Sequence, residues 1–133
     1  MACSCTSTGA AKAIGLALPE LKGKLDGSSI RVPSPNVSLV DFKFTASRKT
    51  STEEVNQAIK DAAKSNRLAG ILTWTEEKLV STDLNHDPHS ATFAVDQTKV
   101  IADTFVRVVA WYDNEWGFSN RMADTAVAMS KVM

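Results

Sequence analysis

The residues best suited to bind an anion are Thr8, Gly9 and Arg31. Thr8 and Gly9 stand where small hydroxyl residues predict a helix start, and a helix N-terminus offers unpaired N–H groups and partial positive charge. Glycine lets a ligand approach the backbone, and Arg31, on the polar side of a predicted strand, carries a permanently charged forked donor. The combination favours phosphate binding. A plain helix cap and an unrelated surface arginine are the alternative.

A second candidate site lies in the aromatic-rich run from Trp111 to Phe118, WYDNEWGF. Its polar centre, which follows an apolar strand candidate, is typical of the rim of a pocket. The side-chain amide of Asn114 can donate and accept hydrogen bonds at the same time. The alternative is a tight turn between a strand and a helix, with the aromatic rings in the core.

Other patterns that carry chemistry are weak or missing. His86, Asp87 and His89 suggest a metal, but three ligands in one Asp-Pro loop do not build a tetrahedral site, so we predict no metal. The glycine positions exclude a Gly-x-Gly-x-x-Gly motif and a P-loop from these 133 residues. No cysteine or serine has a base that the sequence reveals, so we predict no catalytic residue.

The elements that must position these residues alternate between helix and strand. Apolar spacing predicts a first helix that opens at residues 6–9, a second after the capping box Ser51-Thr52-Glu53-Glu54, and a last helix with Met122, Ala126 and Met129 on one stripe. The main strand candidates are residues 28–32, 37–46, 71–75, 79–83 and 104–112. We therefore predict a two-layer α/β (α+β) domain, with a mixed, mostly antiparallel sheet and helices on one face. Residues 104–112 are apolar on both sides, which predicts a central strand.

Composition predicts an ordinary soluble domain. Fifteen basic residues balance fifteen acidic ones, so no long-range attraction to nucleic acid or to an anionic membrane is expected. The N-terminus lacks the features of a secretory signal, and no apolar stretch approaches the length of a membrane span. The two cysteines, Cys3 and Cys5, are too close together for a strain-free bridge. These features favour a cytoplasmic location.

The chain resembles the catalytic domain of the glyceraldehyde-3-phosphate dehydrogenase family, including its erythrose-4-phosphate dehydrogenase relatives. The resemblance covers nearly everything from Thr6 to Met133. The matching runs, in order, are STGAAK from Ser7, RVPSPNVS from Arg31, NHDPHS from Asn85 and WYDNEWG from Trp111. Together these runs are highly specific.

The resemblance implies roles for the candidate residues. It implies that Thr8, Gly9 and Arg31 contact a phosphate of the substrate or the attacking inorganic phosphate. It implies that Asn114 contacts the nicotinamide carboxamide of NAD or NADP and that Phe118 lies near this cofactor. The His86–His89 segment has no metal role in the family.

Departures from the family pattern limit what the chain does alone. The family's Rossmann domain, nucleophilic cysteine and histidine base have no counterpart in residues 6–133, which match the C-terminal part of the catalytic domain. Residues 1–5 are an unmatched head, and Cys5 only superficially echoes the nucleophile segment. We expect a fragment that is inactive alone and prone to self-association or assembly with dehydrogenase subunits. A non-catalytic interaction module is the alternative.

Overall fold

The computed structural model describes residues 3–132, which form two compact units that divide between Pro35 and Asn36. The first unit contains β1 (Ser4–Ser7), α1 (Ala10–Ala17), a 3-10 turn (Pro19–Leu21) and β2 (Ser28–Arg31). Strands β1 and β2 pair antiparallel, with Ser4 opposite Arg31 and Ser7 opposite Ser28. The helix start predicted at residues 6–9 is wrong in part, because residues up to Ser7 belong to a strand and the helix begins at Ala10.

The second unit is built on a five-stranded mixed sheet. Its strands are β3 (Ser38–Thr45), β4 (Leu72–Thr75), β5 (Ala91–Ala94), β6 (Lys99–Ile101) and β7 (Phe105–Tyr112). The order is β3-β7-β5-β4, and β6 also pairs with β7. All pairs are antiparallel except β4 with β5. The predicted mixed, mostly antiparallel sheet is confirmed.

Strand β7 is central, as its two-sided apolar sequence predicts. It pairs with β3 along its whole length and also with β5 and β6. Its Val106 and Val109 are buried together with Phe93 of β5. Burying a side chain of this size contributes about 1.5–3 kcal/mol, so these residues form the core of the sheet.

Two helices belong to the second unit, α2 (Thr52–Ala63) and α3 (Asn114–Ser130). Ser51 caps α2 as predicted, because its hydroxyl accepts a hydrogen bond from the Glu54 N–H at 3.2 Å. At the other end of α2, the Lys64 ammonium lies 5.5 Å from the centre of the Trp74 ring on β4. No helix of the described residues is long and apolar enough to cross a membrane.

Two local expectations fail. Residues 79–83 do not form a strand, because the Asp83 carboxylate accepts the Val80 N–H at 2.8 Å and a 3-10 turn, Ser81–Leu84, follows. In β3, apolar Val40, Phe42 and Phe44 alternate with polar residues, a pattern that predicts one buried side. That side is less buried than the pattern predicts: Phe42 and Phe44 stack on each other at 5.5 Å but stay 40% and 37% exposed. Strand β3 lies at the end of the strand order, so within the described residues it has a neighbour on one side only.

Candidate functional site

The predicted phosphate residues Thr8 and Gly9 lie between β1 and α1. The Thr8 hydroxyl oxygen accepts the Ala10 N–H at 3.2 Å, and Gly9 is the N-cap of α1. Gly9 is exposed, and no atom outside its immediate neighbours lies within 4 Å of the place where a Cβ would stand. A ligand can therefore approach the backbone at this helix start, as the sequence predicts for an anion site.

Arg31 stands at the other end of the same two-stranded ladder. Arg31 pairs with Ser4, which lies four residues before Thr8. Thr8 instead lies near Gly27, at the opposite end of β2, because a Cβ at Gly27 would stand 3.9 Å from the Thr8 side chain. At about 3.3 Å of rise per residue, the backbones of Arg31 and Thr8 are roughly 13 Å apart. Arg31 is exposed, so its side chain is free to extend along the ladder. The structure places the three residues in one unit, but the backbone of Arg31 is distant from Thr8 and Gly9, and phosphate binding stays a prediction.

The predicted cofactor residues share one side of α3. Asn114 is the first residue of this helix and is exposed, and Phe118 follows one turn later with 65% of its surface exposed. Residues four apart on a helix are neighbours on its surface. The arrangement presents an amide, which can pair with a carboxamide, beside an open aromatic ring that a planar ligand can contact.

Asp113, directly before Asn114, is buried and accepts three hydrogen bonds. Its carboxylate caps α3 by accepting the Trp116 N–H at 3.1 Å, and it also accepts the His86 N–H and the Asn36 side-chain amide, each at 2.9 Å. Burial raises the pKa of Asp113, but these N–H donors outweigh burial and hold the pKa below its ordinary value. We call this set, Asn36, His86, Asp113 and Trp116, the Asp113 junction.

The predicted sites do not include Asn36, which lies 77 positions from Asp113. Both hydrogens of its amide are used, because it also donates to the Asn85 side-chain oxygen at 2.7 Å. The alternation of apolar residues gives no sign of such a contact. An aspartate directly before a predicted helix is a recognisable capping signal, so only the Asp113 half of the junction was accessible from sequence.

The side chains of the His86–His89 loop have separate partners. The His86 ring packs on the Trp116 ring at 4.4 Å, whereas Asp87 bonds the His89 ring nitrogen Nδ1 at 2.6 Å and accepts the Thr92 hydroxyl. Burial raises the pKa of Asp87, but the hydrogen bonds from Thr92 and His89 hold it below its ordinary value. The loop also lies close to α3, because a Cβ at Gly117 would stand 3.0 Å from the His89 carbonyl oxygen.

Cys3 and Cys5 are exposed free thiols, and Cys5, on β1, stands opposite Ile30 of β2. No group of three metal-ligating side chains occurs in the part of the chain that the structure describes.

Comparison with known proteins identifies the family. A family model described as glyceraldehyde 3-phosphate dehydrogenase, C-terminal domain, matches residues 2–114. The chain belongs to the glyceraldehyde 3-phosphate dehydrogenase family. The dehydrogenase resemblance of the four sequence runs is thereby confirmed.

Relatives with high identity agree. The chain is 67% identical over 127 residues to a glyceraldehyde-3-phosphate dehydrogenase of Xanthobacter flavus and 65% identical over 128 residues to one of Cereibacter sphaeroides. A third, from Zymomonas mobilis, is 58% identical over 128 residues. Each alignment covers 96% of this chain but 38% of the relative, so the chain spans well under half the length of these dehydrogenases.

Proposed function

We propose that this chain is the phosphate- and nicotinamide-contacting part of a phosphorylating glyceraldehyde-3-phosphate dehydrogenase-like oxidoreductase. The observation that carries the proposal is the exposed pair of Asn114 and Phe118 at the start of α3, directly after the buried Asp113. The membership of the chain in the dehydrogenase family supports it. The expected substrate is glyceraldehyde 3-phosphate or erythrose 4-phosphate, and the expected location is the cytoplasm.

When bound, NAD or NADP would supply the acceptor for a hydride from the substrate. The residues of this chain fit that group, since the Asn114 amide matches the two hydrogen-bonding atoms of a carboxamide and the Phe118 ring is open to a planar ligand. Both residues would orient the nicotinamide. Neither would exchange a proton or form a covalent bond with the substrate.

Thr8, Gly9 and Arg31 would hold a phosphate group. The open backbone at Gly9 offers N–H donors at a helix start, and Arg31 supplies charge. The whole reaction would also need a cysteine nucleophile and a histidine base, which have no counterpart among residues 6–133. We propose that these 133 residues alone do not catalyse this reaction. Residues that only position the substrate and cofactor cannot replace a nucleophile and a base.

A hybrid enzyme tests the proposal, with this chain in place of the segment it matches in the Xanthobacter flavus enzyme. We expect NAD-dependent oxidation of glyceraldehyde 3-phosphate. Asn114→Ala should raise KM for NAD about ten-fold, because the carboxamide of the cofactor loses one hydrogen bond and finds no other partner. The control is Asn120→Ala, since Asn120 lies on the same helix and donates to the Trp116 carbonyl oxygen. An unchanged KM in Asn114→Ala would overturn the cofactor contact.

A second candidate function, an interaction module that assembles with dehydrogenase subunits or other partners, is favoured by one observation. The second unit exposes large apolar side chains on β3 and α3, among them Phe42, Phe44, Met122 and Met129. Exposed apolar patches are typical of surfaces that bind another chain.

A further inference from the structure

We propose that Asn36 is a positioning residue for the cofactor contact of Asn114 and that it acts through Asp113. The inference rests on the proposed role of Asn114. It adds a residue from a distant part of the sequence, because Asn36 precedes β3 whereas Asn114 begins α3.

The hydrogen bonds of the Asp113 junction leave the start of α3 little freedom. One carboxylate oxygen of Asp113 accepts the Trp116 N–H in the first turn of α3. The other accepts the His86 N–H and the Asn36 amide, each at 2.9 Å. Asp113 is 2% exposed, so water does not replace a donor that is lost. Asn114 is attached directly to this fixed residue.

Two residues near this carboxylate have a strained backbone. Among the described residues, four that are not glycine have positive φ, and two of them belong to this region: Val37 at 68° and His86 at 64°. Val37 directly follows Asn36, and His86 is itself a donor to Asp113. The left-handed conformation is rare for a β-branched residue and persists only where the surroundings enforce it, which occurs most often at functional sites.

The two donors from outside the helix have different roles. His86 donates through its backbone, so no side-chain substitution removes its hydrogen bond directly. Asn36 donates through its side chain, with its second hydrogen fixed on Asn85 at 2.7 Å. A substitution at Asn36 therefore removes one hydrogen bond to Asp113 and leaves the cap of α3 in place.

The first test uses the hybrid enzyme described above. Asn36→Ala should raise KM for NAD about ten-fold, the effect of one lost hydrogen bond to a buried carboxylate, and should change kcat less than about two-fold. Combining Asn36→Ala with Asn114→Ala should add little to the effect of Asn114→Ala alone, because both changes act on one contact. The stability control is Val106→Ala. Val106 lies in the buried core, away from the Asp113 junction, so this substitution should lower stability but leave KM unchanged.

The outcomes separate the two proposals. If Asn114→Ala raises KM and Asn36→Ala does not, the cofactor contact stands and the positioning role of Asn36 is wrong. If Asn114→Ala leaves KM unchanged, the cofactor contact fails and the positioning role fails with it. If Asn36→Ala and Val106→Ala raise KM alike, Asn36 contributes only to stability and the inference is again wrong.

The second test uses the 133-residue chain itself and does not depend on activity. NMR relaxation should show that the Asn114 backbone amide is rigid, with an order parameter near 0.85. In Asn36→Ala this order parameter should fall below about 0.6. Val106→Ala should leave it unchanged. Equal order parameters for Asn114 in the unsubstituted chain and in Asn36→Ala would overturn the inference.

Discussion

The side-chain amide of Asn36 donates a hydrogen bond of 2.9 Å to the buried carboxylate of Asp113. This contact joins the residue that precedes β3 to the residue that caps α3. Because Asp113 also accepts the N–H groups of His86 and Trp116, three separate segments of the second unit meet at one charged group. The order of the helix start that presents Asn114 therefore depends on that charge.

The first prediction concerns acid sensitivity. The pKa of Asp113 in the folded chain lies below its ordinary value, which is near 3.9 in an unfolded chain. The ionised carboxylate therefore stabilises the fold fully above the unfolded pKa, and this stabilisation is lost as pH falls through the folded pKa. Asp113→Asn should lower the free energy of unfolding by about 1–3 kcal/mol at neutral pH, because its new amide faces N–H donors.

Urea titrations from neutral pH to about pH 2 check this prediction. In Asp113→Asn, the free energy of unfolding should decrease less steeply as the pH is lowered. Asp87→Asn is the matched control, since the pKa of Asp87 is also held low, so each substitution should remove only its own part of the pH dependence. Identical pH dependence in Asp113→Asn and the unsubstituted chain would contradict the assignment.

The second prediction is that Gly117→Ala destabilises the chain although alanine is the better helix former. A Cβ at this position would stand 3.0 Å from the His89 carbonyl oxygen, and the His89 segment is held by the hydrogen bonds of Asp87. Crowding of this kind costs about 1–3 kcal/mol, against a gain of up to about 1 kcal/mol in helix propensity. The midpoint of urea unfolding should fall, whereas Gly9→Ala, which meets no neighbour, should change it little.

Local sequence patterns predicted those parts of the fold in which the residues of the pattern themselves form the stabilising contact. Strand β7 is apolar on both sides, and it is central because only a central strand buries both sides. Ser51 caps α2 because its hydroxyl and the Glu54 N–H are three residues apart. Residues 79–83 looked like a strand, but Asp83 provides the Val80 N–H with a partner inside the segment, which favours a turn over a strand pairing.

The candidate site was predictable only in part. Asn114 and Phe118 were found from a specific run of residues, and their spacing on a helix explains why they lie side by side. Asn36 was not found, because its contact with Asp113 joins residues 77 positions apart through two polar side chains. Such a contact depends on the pairing of β3 with β7, which places Ser38 opposite Tyr112 and so brings the two polar residues to one end of the sheet.

The third prediction is weak phosphate binding by the first unit. Two or three charge-assisted hydrogen bonds of about 1.5–3 kcal/mol each imply roughly millimolar affinity. Phosphate should shift the NMR signals of Thr8 and Gly9, and Arg31→Ala should abolish the shifts. Lys43→Ala is the control, because Lys43 forms an ion pair with Asp41 at 2.7 Å in the second unit. Equal shifts in the unsubstituted chain and Arg31→Ala would remove Arg31 from the site.

The fourth prediction is that the 133 residues alone show no phosphate-dependent NADH formation from glyceraldehyde 3-phosphate. Cys3 and Cys5 are exposed on or beside β1, and a thiol needs an adjacent base or a lowered pKa to act as a nucleophile at neutral pH. Absorbance at the NADH band over time measures the rate. Activity that Cys5→Ser abolishes would contradict the prediction and make Cys5 the nucleophile.

The fifth prediction is self-association through apolar surface. Phe42 and Phe44 stack on the apolar side of β3 and stay partly exposed, and Met122, Ala126 and Met129 form an open stripe on α3. Each Å² of apolar surface removed from water contributes about 25 cal/mol, so a contact of roughly 600 Å² gives about 15 kcal/mol before an association cost of about 4–15 kcal/mol. That balance permits dimers in the micromolar range.

Analytical ultracentrifugation over the micromolar range should therefore show a sedimentation coefficient that rises with concentration. Added salt should change it little, because the contact is apolar and the net charge is zero. Replacing Phe42 and Phe44 together by serine should shift the equilibrium toward monomer. Leu16→Ser is the matched control, since Leu16 is also apolar and exposed but lies on α1 in the first unit. A strictly monomeric chain at every concentration would show that these surfaces do not bind a second copy.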